Sequence, residues 1–242
     1  MRLLGVPIDA VTREQTTRLL LGFLTDGHQH HVATPNNEML VEASSNVAFR
    51  DMLQRTDLNL PDTTGLIIAA HATGQRLPER VTGVDTVARL CVALTEEQPV
   101  FLLGAAEGVA AKAAETLKKK NEHLRIAGTF SGSPRDEDAV DIVRRIKTSG
   151  AHILLVAYGA PAQDLWIGQH LAQMPDVRLA MGIGGTFDFL AGVVRRAPPL
   201  LRSLGLEWLW RLCLEPKRWR RIVTAVIVFP GMIARYGKDG PE

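Results

Sequence analysis

The sequence predicts an α/β fold: a Rossmann-like, mostly parallel sheet with helices on both faces, followed by a basic, tryptophan-rich helical appendage at the C-terminus. Three observations predict it. Short apolar runs alternate with helix-length amphipathic stretches through the first 190 residues. One run, Ile153-Leu154-Leu155-Val156-Ala157, is apolar throughout, as a strand buried on both faces should be. After Gly192 the composition changes abruptly.

Taken in order, residues 3–8 suggest an edge strand and 12–25 a helix. Strands are expected at 31–34, 57–60, 100–103, 125–128, 153–157 and 179–183. Helices are expected at 36–55, 64–73, 84–97, 107–120, 136–149 and 161–173. Arg195-Arg196-Ala197-Pro198-Pro199 then breaks regular structure. Beyond it, Trp208, Trp210 and Trp219 interleave with five basic residues, and an apolar stretch over 222–229 ends at Pro230-Gly231. These shifts divide the chain into a catalytic body, 1–192, and an appendage, 193–242.

Composition narrows the class. A hydrophobic content of 46% supports a large core, and Cys91 and Cys213 are too few for a disulfide framework or a cysteine-rich zinc site. Asp9 interrupts the N-terminus before any signal-like apolar run develops, and no apolar stretch reaches the roughly 18 residues of a spanning helix. From residue 195 onward ten Lys/Arg face four Asp/Glu, net +6, whereas residues 1–194 carry net −4 within a chain total of +2. The basic end therefore suggests an anionic partner.

Parallel sheets bind ligands beyond the carboxyl ends of their strands, so the polar residues after each run draw attention. Asp62 follows one strand and either faces a cleft as a base or caps the next helix. Thr34, Asn36 and Asn37 have side chains suited to sugar or backbone hydrogen bonds, and Asn36 is equally a candidate helix N-cap. Gln163 on a first helical turn can donate and accept at once, and Arg80 is either a phosphate ligand or a solvated charge. Gly104 to Gly108 resembles a phosphate-approach turn, and Gly184, Gly185 and Thr186 form a second small-residue turn. The G-x-G-x-x-G fingerprint is missing, which disfavours a nicotinamide-dependent oxidoreductase. Asp136-Glu137-Asp138 reads as the acidic start of a helix after Ser133-Pro134, so no metal and no cofactor are expected. Arg211, Arg218 and Arg221 are candidate diphosphate ligands through bidentate guanidinium bonding, with Pro216 splitting their helix. The surrounding tryptophans either sit at a bilayer interface or pack on the body. Nucleic-acid binding is disfavoured because those tryptophans are embedded among aliphatic residues.

Thr34-Pro35-Asn36, Leu60-Pro61-Asp62, Arg80-Val81-Thr82-Gly83, Gly159-Ala160-Pro161-Ala162-Gln163, Gly184-Gly185-Thr186, Arg196-Ala197-Pro198 and the 207–221 segment together resemble the WecG/TagA/CpsF glycosyltransferases. That resemblance implies that Asp62 is the catalytic aspartate, that Thr34 and Asn36 line the active site, and that Arg80 lies near it. It implies an inverting transfer from a UDP-sugar (UDP-ManNAc, its uronic acid or a related hexose) to an undecaprenyl-diphosphate-linked sugar. It also implies a cytoplasmic protein, peripheral on the inner face of the membrane through its C-terminal segment, and self-association. Two departures stand out: Thr63 follows Asp62 where the family has Gly, and Ala162 replaces a lysine. They keep a non-catalytic, membrane-associated nucleotide-sugar-binding protein in view as an alternative.

Overall fold

The structure, a computed structural model, describes residues 1–241. It opens with a small antiparallel hairpin, β1 (Arg2–Leu3) and β2 (Val6–Pro7), where an edge strand of the main sheet was expected. Leu4 and Gly5 both take positive φ at the turn, so the chain doubles back before it can extend. Helix α1 (Arg13–Phe23) follows, started by a reciprocal capping box between Thr12 and Gln15.

The main sheet contains β3 (His30–Ala33), β4 (Leu58–Asn59), β5 (Val100–Gly104), β6 (Ile126–Phe130), β7 (Ile153–Ala157) and β8 (Leu179–Gly182). All six are parallel, in the order β4-β3-β8-β7-β5-β6. Side chains alternate across it. Leu102, Leu155 and Met181 face one hydrophobic core, while Leu103, Leu154 and Ala180 face another.

Between the strands run α2 (Asn37–Ser45), α3 (Val47–Arg55), α4 (Thr64–Ala72), α5 (Gly83–Ala93), α6 (Val109–Lys118), α7 (Asp136–Ser149), α8 (Ala162–His170) and the short α9 (Thr186–Leu190). The helix expected over 36–55 is two helices. Asn46 breaks it by taking an extended conformation and accepting the Phe49 amide as a new N-cap. The Asp136-Glu137-Asp138 run is the first turn of α7, as its sequence setting suggested.

The C-terminal segment comprises α10 (Pro199–Ser203), α11 (Glu207–Leu214), a 3-10 turn at Pro216–Arg218, α12 (Trp219–Val223), a π-helical turn at Thr224–Val228 and α13 (Phe229–Tyr236). Pro216 divides α11 from α12, as proline requires. The segment packs on the body and shares its core: Phe229 and Ile233 are buried with Leu3, Leu4, Met39, Leu40 and Leu66. The chain then returns to its own beginning, where the amide of Gly5 donates to the Lys238 carbonyl at 2.9 Å. No helix among the described residues is long and apolar enough to cross a membrane.

Candidate active site

The carboxyl ends of β3, β4, β7 and β8 open into one cleft of about 940 Å³, closed on its far side by the C-terminal segment. Its position follows from topology. In a parallel sheet every following helix starts at the same rim, so the N-termini of α2, α4, α5 and α8 gather there with their partial positive charge.

Asp62 sits at this rim, after β4, and is partly exposed to the cleft. It does not cap its own helix. The N-cap of α4 is Thr63, which makes no side-chain capping bond. One Asp62 oxygen instead accepts the amide of Gly83, the first residue of α5, at 2.8 Å. Burial pushes the carboxyl up to about 6, against the opposing pull of the Gly83 amide and the Arg80 guanidinium. A carboxylate tuned near neutrality and opening on a cleft has the properties of a general base.

Around it, charges are paired across the body–tail boundary. Arg80 donates to Glu207 at 3.2 Å. Arg196 grips Asp85 through both terminal nitrogens, at 2.6 and 2.8 Å. Burial opposes ionisation of Asp85, but hydrogen bonds from Arg196 and Thr82 prevail and hold it at about 2. Arg196 and Glu207 escaped the search for single site residues, although both fall inside segments that carried the family resemblance. So did Asp188, whose carboxyl is raised by burial while Arg211 and Arg218 pull it down.

Arg211, Arg218 and Arg221 all line the cleft, although they lie on three separate turns of the tail. Glu215 holds the first two, at 3.2 and 2.6 Å, and Glu38 of α2 holds Arg221 at 2.5 Å. Arg211 also lies over the Phe189 ring, 4.7 Å from its centroid. Burial and the like charge of Arg218 both act against its ionisation. Five tail arginines, Arg196, Arg211, Arg218, Arg220 and Arg221, line the cleft with Arg80, interleaved with the carboxylates of Glu38, Glu42, Asp62, Asp188 and Glu207.

Several expected ligands, Thr34, Asn36, Asn37, Gln163 and Thr186, line the cleft and also hold its scaffold. The Gln163 side-chain oxygen accepts two amides, Gly159 at 3.1 Å and Gly184 at 2.9 Å, and the residue is 1% exposed. It ties the β7 and β8 turns together at the edge of the cleft that it lines. Its amide nitrogen donates to Asp164 at 3.3 Å, and Gly182 makes room for that buried carboxylate: a Cβ there would come within 2.1 Å of it. The Thr34 and Thr186 hydroxyls donate to the Gly182 and Ile183 carbonyls. Asn36 caps α2 through the Met39 amide. Asn37 bridges body and tail, accepting from Thr63 at 2.7 Å and donating to the Ala225 carbonyl at 2.8 Å. Thr63, a departure from the family pattern, therefore has a defined partner.

Gly184 and Gly185 line the cleft, but Gly104 lies outside it. Its φ of +103° and the Ala157 backbone, 2.8 Å from where a Cβ would stand, explain the glycine by close strand packing. The phosphate turn expected at Gly104 is thus a packing feature. Among the described residues no group of three His, Cys, Asp or Glu gathers for a metal ion.

The pattern of the glycosyl transferase WecG/TagA/CpsF family matches residues 1–240. A Bacillus spizizenii protein named N-acetylglucosaminyldiphosphoundecaprenol N-acetyl-beta-D-mannosaminyltransferase is 30% identical over 90% of this chain and 84% of its own. Proteins of the same name from Bacillus subtilis and Staphylococcus aureus are 30% and 28% identical, over 80% and 96% of this chain and 75% and 91% of theirs.

Proposed function

The chain belongs to the WecG/TagA/CpsF family of glycosyltransferases, and from that premise we propose that it transfers an N-acetylmannosamine-type sugar from a UDP-sugar to an N-acetylglucosaminyl-diphosphate-polyprenol. The observation that carries this reading is the carboxyl of Asp62, raised to about 6 and facing a cleft whose opposite wall supplies Arg211, Arg218 and Arg221.

Transfer from an α-linked nucleotide donor to a β-linked product, the linkage in the relatives' name, is a single displacement with inversion. Asp62 takes the proton of the acceptor hydroxyl as that oxygen attacks the anomeric carbon. The bond from that carbon to the UDP oxygen breaks, and the charge arriving on the diphosphate is met by tail arginines and helix N-termini. Arg80 and Arg196 set the field around Asp62 while Glu207 balances them. Gln163 fixes the backbone turns on which the donor rests.

Peripheral membrane contact, on the inner face where UDP-sugars are available, belongs to the same reading. Trp219 is 54% and Ile227 65% exposed on the segment that carries the arginines. Such apolar exposure beside cations suits the headgroup boundary of a membrane that holds the lipid-linked acceptor. Self-association through the same surface is the competing use, which vesicle flotation and sedimentation distinguish.

Release of UDP from UDP-N-acetylmannosamine, with a short-chain lipid-diphosphate-N-acetylglucosamine as acceptor, tests the assignment. Asp62→Asn should lower kcat about 10²- to 10⁴-fold, the usual contribution of a positioned base. A variant as active as the wild type would remove Asp62 from the chemistry.

A further inference from the structure

Beside the arginine-lined cleft lies a second cavity of about 860 Å³. Ile68 and Ala72 of α4 form one wall, and Leu204, Val226, Phe229 and Ala234 of the C-terminal segment form much of the other. Its charged lining residues, among those described, are Lys238 and Asp239 alone, whereas the cleft is lined by six arginines. The two cavities are adjacent, and Thr64, Gly65, Gly205, Trp208 and Val226 are among the residues that line both. Gly205 has φ +72°, and a Cβ there would stand 3.0 Å from the Thr64 methyl, so the boundary between the cavities is closely packed around a residue without a side chain.

We propose that this groove holds the first isoprene units of the acceptor's polyprenyl chain. The proposal rests on the transferase reading above and extends it: the acceptor's own diphosphate, like the donor's, lies among the arginines. In a polyprenyl diphosphate the hydrocarbon begins one bond beyond the phosphate. A cationic cleft offers it nothing, so an apolar path must open directly from the phosphate site. The groove is mostly apolar and borders the cleft along the residues they share. At its rim Ile68 is 65% and Leu204 62% exposed, a path outward for the remaining chain. Its volume is in the usual range of about 300–1,000 Å³ for small-molecule cavities, enough for several isoprene units and too small for an undecaprenyl chain. The bilayer would keep the rest.

Direct binding tests the groove separately from catalysis. Farnesyl diphosphate should bind the full-length protein at least about tenfold more tightly than inorganic diphosphate, since burying even two or three methylene-sized groups gives that ratio. Ala72→Trp fills the groove from an exposed position at the end of α4, and Ile68→Asp makes its wall polar. Each should bring the ratio to within about twofold of unity while far-UV circular dichroism remains native. Equal affinities in the wild type would overturn the proposal. So would a preference for farnesyl diphosphate that both variants retain, or wild-type self-association that Ala72→Trp abolishes, which would assign the groove to a second copy of the chain. A sugar-transfer assay runs in parallel with acceptors carrying either a farnesyl or an ethyl group. No transfer to either, with chain-dependent binding intact, would remove the transferase reading and leave the groove standing.

Discussion

The two walls of the cleft are built by different means. The strand-end rim is fixed from beneath by a six-stranded parallel sheet, and its turns are bound to one another by Gln163, Thr34 and Thr186. The tail wall is attached by a few separate points. They include the Arg80–Glu207 and Arg196–Asp85 pairs, the Arg221–Glu38 pair, the Asn37–Ala225 and Gly5–Lys238 hydrogen bonds, and Phe229 with Ile233 in the core. The carboxylate therefore stands on the rigid wall and the diphosphate ligands on the tethered one. An arrangement of this kind sets the base in advance while the cationic wall can open for a bulky lipid and product.

The contrast can be broken first at its apolar anchor. Phe229 is 1% exposed in the core shared with α2 and α4. Phe229→Ala should cost about 3–5 kcal/mol of local stability, read by hydrogen exchange as lost protection in 199–236 with β5 and β7 still protected. Uniform loss across the sheet would mean that the tail is not a separate unit. A comparable effect on rate is expected from the cationic wall itself. Arg211→Ala should lower kcat/KM about 10²- to 10³-fold, as removal of one well-placed charge-stabilising donor does, without changing that exchange pattern.

A smaller effect sharpens the rigid side. The folded Asp62 carboxyl is raised from 3.8 to about 6, so between those values the native state holds more protons than the unfolded chain. Stability contributed at this site therefore falls as pH rises through that window. Above pH 6 the cost of ionisation is complete, on the order of 3 kcal/mol from the size of the shift. Asp62→Asn should be more stable than the wild type at pH 8 by up to that amount, and the gain should vanish near pH 4. Equal unfolding midpoints in urea at both pH values would contradict a carboxyl whose ionisation the fold opposes.

The rigid wall was also the more legible in the sequence. Apolar runs marked the strands, and residues just past them (Thr34, Asp62, Gly184) are the ones at the rim, because parallel topology sends every strand end to one side. What the pattern could not convey was which polar groups were already committed. Gln163 and Asn37 have the chemistry of sugar ligands, and only the tertiary fold shows their hydrogen bonds spent on turns and on the tail. Gly104 misled because a glycine required by a neighbouring strand looks the same as one required by a phosphate. The tail's cationic character was plain from composition, but its path was not. Arg211 and Arg221 come to one cleft through the turn at Pro216, the i,i+4 pair of Arg211 with Glu215 and the pair of Arg221 with Glu38, and only the last has no local signature. Arg196 and Glu207 were missed for the same reason, since their partners lie 111 and 127 residues away.

The base on the rigid wall has one direct readout, the pH dependence of kcat/KM for sugar transfer measured at constant ionic strength. Asp62 in the free enzyme must be ionised to accept a proton, so the rate should climb through an acid limb centred near 6, and that limb should be missing from the residual activity of Asp62→Asn. A wild-type profile flat from pH 5 to 8, or an Asp62→Asn enzyme that keeps the same limb at the same height, would contradict it.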